Sequence, residues 1–344
     1  MSKQKLNRPW LISSIALLVA VLLSILVGSV FIPPATLWEL ILKIPSGMDS
    51  LPGSWLPYYS ILFNLRLPRT VLMCLTGAAL AGSGAAYQGL FRNPLADPYL
   101  IGIASGAGLG AVVAICLNLP YSNWGIYLVP VFAFVGAILT VVIVYELARV
   151  GKTIPTTSLI LAGVAVSSLA TAVTSFIMLS MNNELRHSFV WLMGGATFSG
   201  WQSVIAVLPY IVPGLIVLLV NGHVINVLQF GDEQAQQLGI NVTRARQVIV
   251  LAASMTTAAA VSFTGIIGFV GLIVPHLVRL LWGGNYRRLL GLSIINGAVL
   301  LLLADILARV ILAPQEVPVG IITAICGAPF FLWVMRRAKA QNYW

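Results

Sequence analysis

The sequence predicts an all-α polytopic membrane protein of about ten helices, because 59% of its residues are hydrophobic, 8% are charged, and the few charges separate long apolar runs. A soluble domain carries about 25% charged residues. A chain of 344 residues with so few cannot clothe a globular surface in water. At about 20 residues per crossing and roughly ten per loop, this length accommodates about ten spans. A soluble enzyme, a secreted disulfide scaffold and a disordered chain are excluded on the same grounds. The formal charge of +10 would suit a nucleic-acid binder, so where those charges sit has to decide its meaning.

In lipid each apolar run must satisfy its own backbone hydrogen bonds and is therefore read as a helix. The first span, 10–32, follows Lys3, Lys5 and Arg8. Its apolar run from Pro9 to Pro33 exceeds the h-region of a secretory signal and has no small-x-small cleavage site, so an uncleaved helix is expected. The second span, 69–90, carries Gly77, Ala81 and Ala85 at four-residue spacing, and the third, 99–119, carries Gly102, Gly106 and Gly110. Such ladders let helix backbones approach closely. The fourth to sixth spans are 125–146, 155–181 and 201–222, and the last two are 289–312 and 318–335.

Between them, Gln247 to Val278 runs for 32 residues without a charged side chain, long for one helix and short for two. Gly265, Gly268, Gly271 and Pro275 are available to break it into spans at 247–264 and 266–282. Orientation arbitrates. With the N-terminus inside and ten crossings, the cytoplasmic side receives Lys3, Lys5, Arg8, Arg92, Arg149, Lys152, Arg244, Arg246, Arg279, Arg287, Arg288, Arg336, Arg337 and Lys339, which is 14 of the 19 basic residues. A single crossing over 247–278 would leave nine inside. The positive-inside rule prefers two short helices and both termini in the cytoplasm. The basic excess is thus an orientation signal. Lys43, Arg66, Arg69, Arg186 and Arg309 are left outside.

Few residues offer chemistry. Cys74, Cys116 and Cys326 lie in apolar stretches without CxxC spacing and are read as packing residues. His187, His223 and His276 fall in different loops or helix ends, so no metal site is expected, and HExxH and GxSxG are absent. An ion-coupled carrier would place a carboxylate within a helix. The candidates, Asp305 and Glu146, lie four residues before Arg309 and three before Arg149, spacings that favour local ion pairs. The chain also lacks a GxxxxGK[ST] phosphate loop, so energy for transport would come from partners. The best surface for them is Gly231 to Gly239, in the cytoplasmic loop 223–246. Asp232 and Glu233 suit the start of a short helix and Gly239 its end, a pattern that equally describes a capped loop helix.

Six blocks at these positions strongly resemble the FecCD-type permeases of bacterial ATP-binding-cassette importers, which carry iron-siderophores, haem and cobalamin. They are RLPR at Arg66 to Arg69, GLFRNPLADP at Gly89 to Pro98, GDEQAQQLG at Gly231 to Gly239, GFVGLIVPHLVR at Gly268 to Arg279, ADILAR at Ala304 to Arg309, and VPVGIITAICGAPFF at Val317 to Phe331. The resemblance implies the type II importer permease fold in the bacterial cytoplasmic (inner) membrane, with residues 1–344 forming a single permease domain. It implies a second permease subunit, identical or related, and two ATPase subunits that hold ATP and Mg. It also implies a periplasmic or lipid-anchored substrate-binding protein. This chain would itself hold no cofactor, and would not be an enzyme.

The resemblance also assigns residues. Asp232, Glu233, Gln236, Leu238 and Gly239 would form a coupling helix seated in a groove of the ATPase. Arg66, Arg69 and Arg309 would receive acidic residues of the binding protein, where position alone suggests snorkelling anchors. Asn93, Leu95, Thr156 and Thr157 would form a cytoplasmic gate, although Asn93-Pro94 also suits a plain turn and Thr156 a helix cap. Pro155, before the threonine pair, departs from the pattern. Phe176, Met178, Met181, His187 and Trp191, near the outer end of the fifth helix, are candidates for lining an apolar pathway. An iron chelate of the siderophore class is the default cargo, followed by haem and cobalamin.

Overall fold

Helices form at every predicted apolar run. The structure, a computed structural model, describes residues 3–28, 32–33, 35, 37–38, 55–117, 127–151, 155–181, 185–195 and 200–340. Lys43 and Lys152 lie outside these described residues. The helices are α1 (Lys3–Leu26), α2 (Leu56–Leu90), α3 (Ile103–Cys116), α4 (Leu128–Leu147), α5 (Thr156–Leu179), α6 (Leu185–Leu192), α7 (Trp201–Val220), α8 (Gly222–Leu228), α9 (Asp232–Gln237), α10 (Val242–Thr264), α11 (Val270–Trp282), α12 (Tyr286–Val310) and α13 (Val319–Ala340). No β-strand occurs among the described residues. Seven helices are long and apolar enough to cross a bilayer, and α3, α11 and α13 are shorter apolar helices. Together they account for the ten expected crossings.

Two departures from the predicted spans have local causes. Helix α2 is continuous over 35 residues, starting well before the expected position 69. A π turn at Ile61–Arg66 precedes Pro68, so the proline, which lacks an N–H, sits near the change from wide to regular helical turns. The uncertain stretch resolves into two helices, α10 and α11. Gly265 and Phe269, both at positive φ (75° and 69°), make the break between them. Gly271 and Pro275, expected as breakers, lie inside α11. Gly271 serves close packing instead, since a Cβ built on Gly84 of α2 would stand 2.0 Å from the Gly271 carbonyl oxygen. Helix α10 starts at Val242 because the Asn241 side chain accepts from the Arg244 N–H at 3.0 Å and caps it.

The glycine ladders do what their spacing predicts. A Cβ on Gly77 of α2 would lie 2.3 Å from the Gly297 carbonyl of α12, and one on Gly110 of α3 would lie 2.0 Å from the Phe132 carbonyl of α4. Rigid backbone faces these positions. Gly110→Ala is therefore expected to cost about 1–3 kcal/mol, read as a lower unfolding temperature of the detergent-solubilised protein. An unchanged temperature would mean that α3 and α4 separate freely. Of the cysteines, Cys74 is half-buried but Cys116 and Cys326 are exposed and all three are free, so the packing role expected of the last two is corrected.

Helices α2 and α10 form the interior, with 83% and 78% of their apolar windows buried, against 17% for both α1 and α5. The two peripheral helices differ in chemistry. Helix α1 exposes Leu11, Ile12, Ile15 and Leu18, as a lipid-facing helix should. Helix α5 exposes Thr157, Ser168, Thr171 and Ser175 among its apolar residues. Hydroxyls gain no partners from acyl chains, so this face suits water or protein better than lipid.

Candidate coupling and transport site

The loop joining α7 to α10 folds back on the end of α2. Gln229 Nε2 donates to the Gly89 carbonyl at 2.7 Å, and Asn226 accepts from the Tyr286 N–H at 2.9 Å. Helix α9 then stands between two glycines at positive φ, Gly231 at 120° and Gly239 at 83°. Such values are open to glycine at little cost, which is why the helix begins and ends there. Ala235 is buried beneath it, whereas Glu233, Gln236, Leu238 and Gly239 are exposed. Leu238 is 68% exposed and Phe230, just before the helix, 69%, so two large apolar side chains flank the polar residues of α9.

Asp232 behaves differently from its neighbours. Its carboxylate is turned back onto the bundle, accepting from Arg246 at 2.9 and 3.1 Å and from Arg92. Asp232, expected from the sequence to belong to the coupling helix, is thus held by two guanidinium groups while its side chain stays 38% exposed. Arg92 has φ of 50°, a left-handed conformation just past the end of α2. Next to it the Asn93 side chain accepts from the Leu95 N–H at 2.9 Å, forming a tight turn. Thr156 is the first residue of α5, but the N-cap position is taken by Pro155. Thr156 shares a cleft of about 360 Å³ with Phe91, Arg92, Phe230, Asp232 and Arg246. The structure thus brings Thr156 beside α9, while Asn93 and Leu95 sit half-buried in the adjoining turn and Thr157 is exposed.

The arginines assigned to the outer side lie inside the bundle. Arg66 is 6% exposed and donates to the Ile25 and Leu26 carbonyls at 2.8 and 3.1 Å, and Arg309 is 4% exposed and donates to Ser24. Arg69 bridges fully buried Asp305 at 2.8 Å and exposed Glu316 at 2.6 Å. Asp305 also faces Arg309 Nε at 3.1 Å. The local Asp305–Arg309 pair expected from spacing is therefore one edge of a larger set joining α1, α2, α12 and the α12–α13 connection. Presentation of Arg66 and Arg309 on an open rim is corrected, since burial among helix ends removes both from the surface. The Glu146–Arg149 pair forms as expected, at 3.6 Å between exposed groups.

An apolar cavity of about 490 Å³ lies against α5, lined by Met178, Leu179, Phe189, Leu192 and Ile266 with hydroxyls from Ser105, Thr171 and Ser175. Of the pathway candidates, Met178 is the one that lines this apolar cleft. Trp191 and Met181 are 1% and 6% exposed and pack inside, while Phe176 and His187 are exposed away from that lining. No metal-binding cluster of His, Cys, Asp or Glu occurs among the described residues. Sequence reasoning missed Arg246 and Glu316 as partners. Arg246 had registered only as an orientation charge, and nothing in the short Pro314-Gln315-Glu316 stretch points to Arg69.

Ten apolar helices among the described residues, an exposed short helix on the loop between two of them and an open apolar cleft beside a hydroxyl-bearing helix are the architecture of a multi-pass membrane permease. The chain belongs to the FecCD transport family, which it matches over residues 16–337. It is 48% identical to the cobalamin import system permease protein BtuC of Halobacterium salinarum, over 82% of this chain and 74% of that protein. It is 38% identical to the hemin transport system permease protein HmuU of Yersinia pestis, over 95% of each chain. A solved inward-facing metal-chelate type ABC transporter superposes with a TM-score of 0.81 at 29% identity, covering 94% of this chain and 97% of that one. The protein is thus the membrane component of an ABC transporter, multi-pass in the bacterial inner membrane.

Proposed function

We propose that this chain is the translocation subunit of an ATP-driven importer for a large metal chelate. The observation that carries the reading is α9, a six-residue helix between two glycines that exposes Leu238 and Glu233 on one side and is fastened to the bundle on the other. A pair of ATPase subunits holding ATP and Mg seats this helix, and a second permease subunit covers the hydroxyl-bearing face of α5. The cavity beside α5, apolar with scattered hydroxyls, suits a bulky chelate that slides without tight ligation. Relatives named for cobalamin and haemin support those two cargoes as well as the ferric siderophore expected from sequence.

On the outer side, acidic residues of a binding protein meet the arginine set through Arg69, whose partner Glu316 is exposed, with Arg66 and Arg309 supporting it from below. Purifying the cognate binding protein with its native ligand tests the cargo, because haem, cobalamin and ferric chelates have distinct visible spectra. The expected result is one of these three, with association to the permease weakening as salt rises. A ligand without a chelated metal, or ion-gradient-driven transport by this chain alone in proteoliposomes, would sink the proposal.

A further inference from the structure

Helix α9 has little to hold it in place. Gly231 and Gly239 flank it, nothing stands within 4 Å of a Cβ built on either, and Ala235 is its one buried residue. A force applied to Leu238 would tilt such a segment without moving the bundle unless side chains tie it down. The Asp232 carboxylate provides that tie, since it meets Arg92 at the end of α2 and Arg246 in the first turns of α10. The three groups are 38%, 39% and 24% exposed for Asp232, Arg92 and Arg246. Solvated ion pairs of this kind contribute little to fold stability, so their value lies in geometry. Arg92 leads directly into the Asn93 turn, and Thr156 of α5 lines the same cleft.

We propose that Arg92 and Arg246 are positioning residues that clamp Asp232, so that displacement of α9 by the ATPases is passed to the Asn93 turn, to the start of α5 and to α10. This rests on the reading of α9 as the ATPase-docking helix. Two links to separate helices make the movement concerted, because neither α2 nor α10 can lag behind α9 while both arginines hold one carboxylate. The relay works through Arg92 at close range, two residues from Pro94, with no need for Asp232 to touch the ATPase.

The test uses the whole transporter, with ATPases and binding protein, in liposomes. Arg92→Gln is expected to keep ATPase association and basal ATP hydrolysis, while transport and binding-protein-stimulated hydrolysis fall about tenfold, the size of a typical coupling between sites. Arg92→Lys, which keeps the charge, is expected to restore most of both. In a background without Cys74, Cys116 and Cys326, an Arg92→Cys, Asp232→Cys pair joined by a short bifunctional maleimide is expected to transport better than the unjoined pair. Full coupling in Arg92→Gln, or a joined pair that is blocked, overturns the relay. Loss of ATPase association in Arg92→Gln also overturns it, since Arg92 would then be a docking residue. The docking role of α9 fails separately, if ATPase association survives a charge placed at Leu238.

Discussion

Leu238→Arg is expected to abolish co-purification of the ATPase subunits and, with it, all ATP-dependent transport. Leu238 is 68% exposed at the end of α9, with Phe230, 69% exposed, at its start. Burying a leucine side chain in a partner groove contributes about 1.5–3 kcal/mol. A charged replacement forfeits that and adds the desolvation of an unpaired guanidinium, so the loss reaches the range of an interface hot spot, about 2–4 kcal/mol or roughly 30- to 1000-fold in affinity. Fold stability should be untouched, because the side chain packs little within this chain. A pull-down of the ATPases with tagged permease measures the loss, alongside the melting temperature of the isolated permease. Wild-type association at normal stability would remove α9 from the coupling role.

Asp305→Ala is expected to produce the largest loss of stability of any single substitution considered for this chain. The carboxylate is fully buried and holds Arg69 at 2.8 Å and Arg309 at 3.1 Å, with those side chains 14% and 5% exposed. Removing it leaves two guanidinium groups facing each other at the helix ends, with exposed Glu316 as the remaining acid of the set. Breaking a buried pair by deleting one partner costs about 3–5 kcal/mol. The change should lower the unfolding temperature in detergent by several degrees. Replacing Asp305, Arg69 and Arg309 together by Leu, Met and Met should recover much of it, since no unpaired charge is then buried. An Asp305→Ala variant as stable as wild type would show that the set is open to water. The same pairing disfavours Asp305 as a cation-coupling site, because its charge is already compensated by Arg69 and Arg309.

Much of the architecture is legible in hydropathy and charge. The helix count, the split between α10 and α11 and the close-packed ladders at Gly77 and Gly110 all follow from residue types in local order. The position of the split was less legible. Phe269 takes a left-handed conformation that its residue type does not announce, while Pro275 is absorbed into a helix. At the candidate site, α9 and its exposed Leu238 follow from the pattern Gly231 to Gly239, since glycine and acidic residues signal a short helix. Trp191 and Met181 are buried within the chain, and the sequence could not show this, because aromatic and methionine residues look alike whether they face a cavity or a neighbouring helix.

What the sequence determined by itself is the class of molecule, the number of spans and the sidedness assigned by its basic residues, because each depends on composition within a window of about 20 residues. What tertiary structure decided is which charges find one another. Arg69 and Asp305 are 236 positions apart, and Arg92 and Asp232 are 140 apart. A charge buried between helices, as at Asp305, must find its counter-charge on whatever helix lies beside it, whereas the solvated Arg92–Asp232 pair forms because the loop between α7 and α10 folds back on the end of α2.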